Sequence, residues 1–148
     1  MSNTLGILHL LMTRGFDPKC KCKLVRHQDK RFDIATLIRD GWIDVYQSVQ
    51  GRPVFRDCEF IVTFIGDGGT RARLLGVYRV LGERPATPDD TPENSPLAAW
   101  RYEPGFFYDL QHQEQYGDLE GRVVIEWGTG ALAWHQHLRN KPIIEIFP

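Results

Sequence analysis

Residues 58–81 are written as two strand-like runs about a four-residue turn. Cys58-Glu59-Phe60-Ile61-Val62-Thr63-Phe64-Ile65 is rich in β-branched and aromatic side chains, and Gly66-Asp67-Gly68-Gly69 tolerates positive φ. Residues 71–81 then alternate back as a partner, so the stretch predicts a β-hairpin. Further strands are predicted over 106–111, 122–127 and 143–147, with 132–137 a fourth that could instead be a helical turn, and Leu24-Val25-Arg26-His27 is a brief one. The links between them are turns or a Pro-rich loop. A doubly wound α/β sheet needs crossover helices of ten or more residues and is disfavoured.

Helical signals are short and lie near the N-terminus. Residues 4–14 place Leu5, Leu8, Leu11 and Met12 on one face, with Thr4 as N-cap and Gly15 just past the end. Residues 33–41 form a second short helix, capped by Asp33 and terminated by Gly41. Over 42–49 the spacing of Trp42, Val45, Tyr46 and Val49 fits a helix while the residue types favour a strand, and the pattern decides neither. Residues 83–96 carry four prolines and four acids, which predicts an exposed, mobile acidic loop. The expected fold is a single domain over residues 1–148, α+β and β-dominated, with a small curled sheet or barrel and short N-terminal helices.

The chain has 148 residues, 42% of them hydrophobic, which suffices for one full core. Three cysteines, Cys20, Cys22 and Cys58, argue against a secreted disulfide framework and favour a reducing, cytoplasmic setting. The longest apolar stretch, residues 5–12, is too short to span a bilayer and lacks the flanks of a signal peptide. The formal charge of −1 hides an asymmetry. Residues 14–31 hold seven basic side chains and two acids, a net of +5, which leaves −6 for the rest. Such a segment suits phosphate docking, and it equally suits a solvated loop.

Most chemical signatures fail on spacing. The glycine turn lacks the Gly-Lys-Ser/Thr opening of a phosphate-binding helix. Cys20, Cys22, Cys58 and His27 could supply four zinc ligands, but Cys-x-Cys is less usual than Cys-x2-Cys and no second pair exists, so idle thiols are the expectation. His135-x-His137 with Glu126 could ligate a metal, with no third ligand assured. No nucleophile motif is present, so no catalytic residue, metal or cofactor is assigned and the chain is not expected to be an enzyme. The richer constellation is aromatic and amide, in Trp42, Asp44, Tyr46, Gln47 and Ser48 and again in Trp127, Trp134, His135 and Gln136. Flat rings beside such side chains can stack on a heterocycle and read its edge, or can simply be core.

The blocks Lys23-Leu-Val-Arg26-His27-Gln28-Asp29-Lys30-Arg31, Val45-Tyr46-Gln47-Ser48-Val49-Gln50, Phe64-Ile-Gly66, Leu75-Gly76-Val77-Tyr78-Arg79-Val80, Gly121-Arg122-Val-Val-Ile-Glu126-Trp127-Gly128 and Ala133-Trp134-His135-Gln136 run in order along the chain. Together they resemble the N-terminal domain found ahead of the nuclease in bacterial GIY-YIG nuclease family proteins. The resemblance implies a DNA reader placed before a cutter, as in restriction enzymes, with the nuclease domain itself outside this chain. Gly76-Val77-Tyr78 is similar to half of the nuclease signature, but no second tripeptide follows about ten residues later. By analogy of fold, a small curled sheet resembles the PUA-like superfamily, whose members read modified bases through an aromatic pocket.

The functional expectation is therefore a PUA-like module that binds double-stranded DNA, modified or not, and recognises a base, flipped or stacked, for an associated GIY-YIG-type endonuclease. Lys21, Lys23, Arg26, Lys30 and Arg31 would meet phosphates; Tyr46, Trp127 or Trp134 would stack; Asp44, Gln47, Ser48 and Gln136 would read the edge. One alternative is a protein-interaction or homodimerisation module of a nuclease. Another is a small metal-dependent hydrolase built on His135, His137 and Glu126. No membrane partner is expected.

Overall fold

The computed structural model describes residues 5–28, 32–100, 104–128 and 134–148. It is α+β and strand-dominated, as expected, with 38% strand against 22% helix, and its sheet curls as a half-barrel. Its contacts divide the chain into two compact units, one of Met1–Gln28, Cys58–Arg79 and His112–Pro148, the other of Asp29–Asp57 and Val80–Gln111.

The first unit contains α1 (Ile7–Met12), β1 (Cys22–His27), β3 (Phe60–Gly66), the first nine residues of β4 (Arg71–Pro85), β6 (Val123–Glu126), β7 (His135–His137) and β8 (Ile143–Ile146). Its strands run in the order β7-β1-β3-β4-β6-β8. The predicted hairpin is present: β3 and β4 pair antiparallel, with Val62 opposite Val77, and the turn closes through Asp67 N–H to the Arg71 carbonyl at 3.1 Å. β1 and β3 are parallel, Leu24 opposite Val62, because residues 28–59 carry the chain from the end of β1 back to the start of β3.

Alternation along these strands sorts the side chains onto two faces. Cys22, Leu24, Val62, Phe64, Ala72, Leu74, Val77, Val123, Ile125 and Trp127 lie on one, where they form a core with Ile7, Leu10 and Leu11 of α1 and with Phe16, Tyr116 and Leu119. The helix is shorter than predicted: it starts after Gly6, which offers no side-chain cap, and Thr4 lies outside the described residues. Its cap comes from far along the chain. Asn140 Oδ1 accepts from the N–H groups of Leu8 at 3.0 Å and His9 at 3.3 Å.

The second unit contains α2 (Ile34–Arg39), α3 (Ile43–Ser48), β2 (Val49–Gln50), the end of β4 and most of β5 (Phe106–His112), with β5 between β4 and β2. Asp33 caps α2 as predicted, accepting from Ala35 N–H at 3.1 Å, and Gly41 ends it at φ +81°. The ambiguous run 42–49 resolves into a helix that passes directly into a strand. Residues 83–96 are mostly exposed, as expected, but are not without regular structure: Glu83 to Pro85 extend β4, residues 88–90 form a 3-10 turn with a Thr87/Asp90 capping box, and Thr91 and Ser95 are buried, as is Leu97 just beyond. Ionic contacts hold this stretch. Arg84 grips Asp90 at 2.6 Å while lying over the Phe107 ring at 4.1 Å, and Arg56 forks onto Glu83, which also accepts from Tyr108 Oη at 2.5 Å.

Among the described residues no helix is long and apolar enough to cross a membrane.

Candidate functional site

The predicted base-reading residues fall into two groups by unit. Asp44, Tyr46, Gln47 and Ser48 share α3, a helix of six residues. Asp44 is exposed and Tyr46 and Ser48 are half-buried, with the Tyr46 ring edge-on to Phe32 at 5.9 Å. Gln47 is completely buried, and its carbonyl accepts from Gln50 Nε2 at 2.8 Å. In this conformation Gln47 presents no edge to a ligand, because its neighbours in the sequence leave it as the buried residue of the helix.

Trp127, Trp134 and Gln136 belong to the first unit. The register places Gln136 opposite Leu24, on the core face, and Arg26 two residues further along that same face of β1. Arg26 reaches over the Trp127 ring, with its guanidinium carbon 5.2 Å from the centroid, and donates to the Gly69 carbonyl at 3.3 Å. The Trp127 indole is fully buried, edge-on to Phe64 at 6.0 Å. A ring packed in this way offers no face to a base, so stacking is not the contribution Trp127 makes in this conformation. What it offers is its indole N–H, which is buried without a hydrogen-bond partner among the described residues, as is the side-chain nitrogen of Gln136.

Sequence inspection missed a cation next to Trp127. Lys141 Nζ donates to the Trp127 carbonyl at 2.8 Å, and burial pushes its ammonium below the ordinary lysine value. Burial likewise lowers Arg26, against the opposing charge of Asp67. The one available signal was weak: Lys141 follows a run of polar residues before β8 and carries no motif. The glycine turn also gains a role. Gly66 has Gln28 and Arg26 where its Cβ would stand, so a side chain there would crowd both. Arg26 over the Trp127 ring and Lys141 on the Trp127 carbonyl thus place two cations about Trp127, whose indole N–H is itself left without a partner among the described residues.

The other face of β1 and β7 carries Lys23 with His137 opposite, and Val25 with His135 opposite. Burial and the charges of Lys23 and His137 hold His135 below the ordinary histidine value. Lys21 is exposed at the head of β1, so Lys21 and Lys23 of the predicted phosphate set share one end of one strand, while Lys30 and Arg31 lie outside the described residues.

The metal-site alternatives do not assemble. Strands β1, β3 and β4 separate β7, which carries His135 and His137, from β6, which carries Glu126. His27 lies at the far end of β1 from Cys22 and on the opposite face. Among the described residues no group of three or more His, Cys, Asp or Glu could hold a metal ion. No family model, curated protein or solved structure matches this chain at a significant level.

Proposed function

We propose that this chain is a PUA-like DNA-binding module that recognises a base on behalf of an associated GIY-YIG-type endonuclease. The observation that carries the reading is two buried donors, Trp127 Nε1 and Gln136 Nε2, without partners among the described residues, the first of them on a ring that the Arg26 guanidinium covers. Buried donors are costly to leave unmatched, by about 1–3 kcal/mol each, and an acceptor from outside the chain relieves that cost. Base edges and phosphates supply such oxygens. Lys21 and Lys23 at the head of β1 then contact the backbone and set the orientation, while the Trp127 and Gln136 donors read. Trp134, half-buried and edge-on to His135 at 4.8 Å, is the ring that remains for stacking in this unit.

The test is a binding series over duplexes that differ only in one base or its modification. The reading expects one duplex to be preferred by about tenfold or more, as each good pair of edge contacts is worth roughly 1–3 kcal/mol, and Gln136→Ala to erase that preference. Equal binding of every duplex by both proteins would show that no base is read.

One observation favours a second reading, an interaction or homodimerisation module. Trp127 is core, and Leu5, Met12, Ile144 and Ile146 of the same unit are exposed. Sedimentation at rising concentration separates the two: a dimer broken by Ile144→Lys, with no binding to any duplex, would support association in place of reading.

A further inference from the structure

Lys23, His135 and His137 share one face where β1 meets β7, and base reading makes no use of the two imidazoles. Lys23 is directly opposite His137, and Val25 is opposite His135. Leu138 N–H donates to the Cys22 carbonyl at 3.1 Å and Arg26 N–H to the Trp134 carbonyl at 2.7 Å, which makes Cys22/Leu138 and Arg26/Trp134 hydrogen-bonded pairs. Pair types alternate along an antiparallel ladder. Lys23/His137 and Val25/His135 are therefore the close, non-hydrogen-bonded kind, with Cα atoms about 4.5 Å apart and side chains on the same side. His135 and His137 are two residues apart on that side, about 6.8 Å along β7. Three nitrogen-bearing side chains thus rise from a patch roughly 7 Å across, and backbone hydrogen bonds hold the strands together at both ends of it.

The patch lies at the margin of the sheet, since β7 ends the strand order, and solvent reaches it: His137 is exposed, and Lys23 and His135 are half-buried. Its charge is one-sided. The charges acting on His135 are those of Lys23 and His137, with no carboxylate of the described residues among them. Glu59, beside the head of β1, turns its carboxylate onto the Lys21 N–H at 3.2 Å, and Glu126 of β6 lies beyond β1, β3 and β4. An ammonium opposite an imidazole disfavours a metal cation between the two rings and favours an anion. Lysine brings three N–H donors, and each imidazole brings one even when neutral. A phosphate monoester matches this set, because it carries up to two negative charges and three acceptor oxygens, whereas each diester within a strand carries a single charge.

We propose that Lys23, His135 and His137 form a phosphate-monoester site that takes the terminal phosphate of a DNA strand. DNA as the source of that phosphate rests on the proposed DNA-binding role, while the phosphate chemistry rests on the patch alone. Such a contact distinguishes a strand end or a nick from continuous duplex, in which every phosphate is a diester.

The test compares one duplex carrying 5′-phosphates, 3′-phosphates or hydroxyl ends, in buffer with EDTA. Separately, the chain is titrated with a nucleoside 5′-monophosphate, its 3′ isomer and the nucleoside itself, and the imidazole resonances are followed by NMR. The expected result is an affinity about tenfold higher for one phosphate-ended duplex than for the hydroxyl-ended one. In His137→Ala and in Lys23→Ala that ratio falls to about one. Lys19→Ala, which removes an exposed cation on the turn before β1, keeps the ratio, so charge alone is not what it reports. A monophosphate, and not the nucleoside, shifts the His135 and His137 resonances. Equal affinity for all three ends, or a ratio that survives His137→Ala, would overturn the proposal and leave DNA binding standing. Imidazoles that answer a monophosphate in a chain that binds no duplex would overturn the strand-end assignment together with the DNA-binding role. Imidazoles that answer neither monophosphate would overturn the phosphate site itself.

Discussion

Trp127 and Gln136 show where residue type informs and where it stops. Both were legible as candidate recognition residues, because an indole and an amide near one another are suited to a heterocycle. Their roles were not legible, since burial is set by strands 40 or more residues away: Phe64 from β3 closes against the Trp127 ring, and Arg26 from β1 covers it. Under the proposed reading Trp127 contributes its N–H as a donor. Trp127→Phe keeps an aromatic ring but removes the N–H and part of the buried indole, so some stability is lost while affinity of the folded protein for the preferred duplex falls by about 1 kcal/mol, read by fluorescence anisotropy. Trp127→Ala instead empties a core position and costs about 3–5 kcal/mol in urea denaturation. His135 adds a pH dependence. Its folded-state pKa is depressed, so the stability it contributes is full above the ordinary histidine value of about 6.5 and is lost as pH falls through its lower folded value. Below that point it becomes a cation beside Lys23. DNA affinity should rise as pH falls through that lowered value, and should rise less in His135→Gln.

At the scale of elements, local patterns found the strands and the turn between β3 and β4, and Asp33 and Gly41 bounded α2 as their chemistry requires. Two features escaped because their partners are remote. The α1 cap is Asn140, whose side chain occupies the space beside Gly6. Asn140→Ala is expected to cost about 1 kcal/mol in denaturant midpoints, and Gly6→Ala to cost a similar amount by displacing the same side chain. The 83–96 segment escaped as well, since prolines and acids alone do not reveal that Arg84 and Arg56 will hold them. Those arginines draw the Asp90 and Glu83 carboxyls below the ordinary carboxylate values. The stability from these pairs is complete above about pH 4 and disappears as pH falls through the depressed folded values. Asp90→Asn should thus lower Tm at pH 7, and the gap to wild type should narrow as pH approaches 3.

For the whole molecule, strand-dominated α+β architecture followed from short alternating runs without long helices. The parallel β1–β3 pair did not, because residues 28–59 separate its strands and no local pattern reports a pairing at that distance. The same separation hides the division into two units, each drawn from discontinuous stretches. Charge behaves similarly. The near-neutral total says little, whereas the excess over residues 14–31 marks β1, whose opening residues bring Lys21 and Lys23 together.

DNA binding is the central claim, and a salt titration tests it most directly. Binding of the chain to a labelled duplex would be followed from about 50 to 200 mM salt, for wild type and for Lys21→Ala/Lys23→Ala. The account predicts binding at low salt that weakens steeply with salt, and a slope of log K against log salt shallower by roughly 2 in the double variant. Absence of binding to any duplex at low salt, or a slope untouched by the two substitutions, would contradict it.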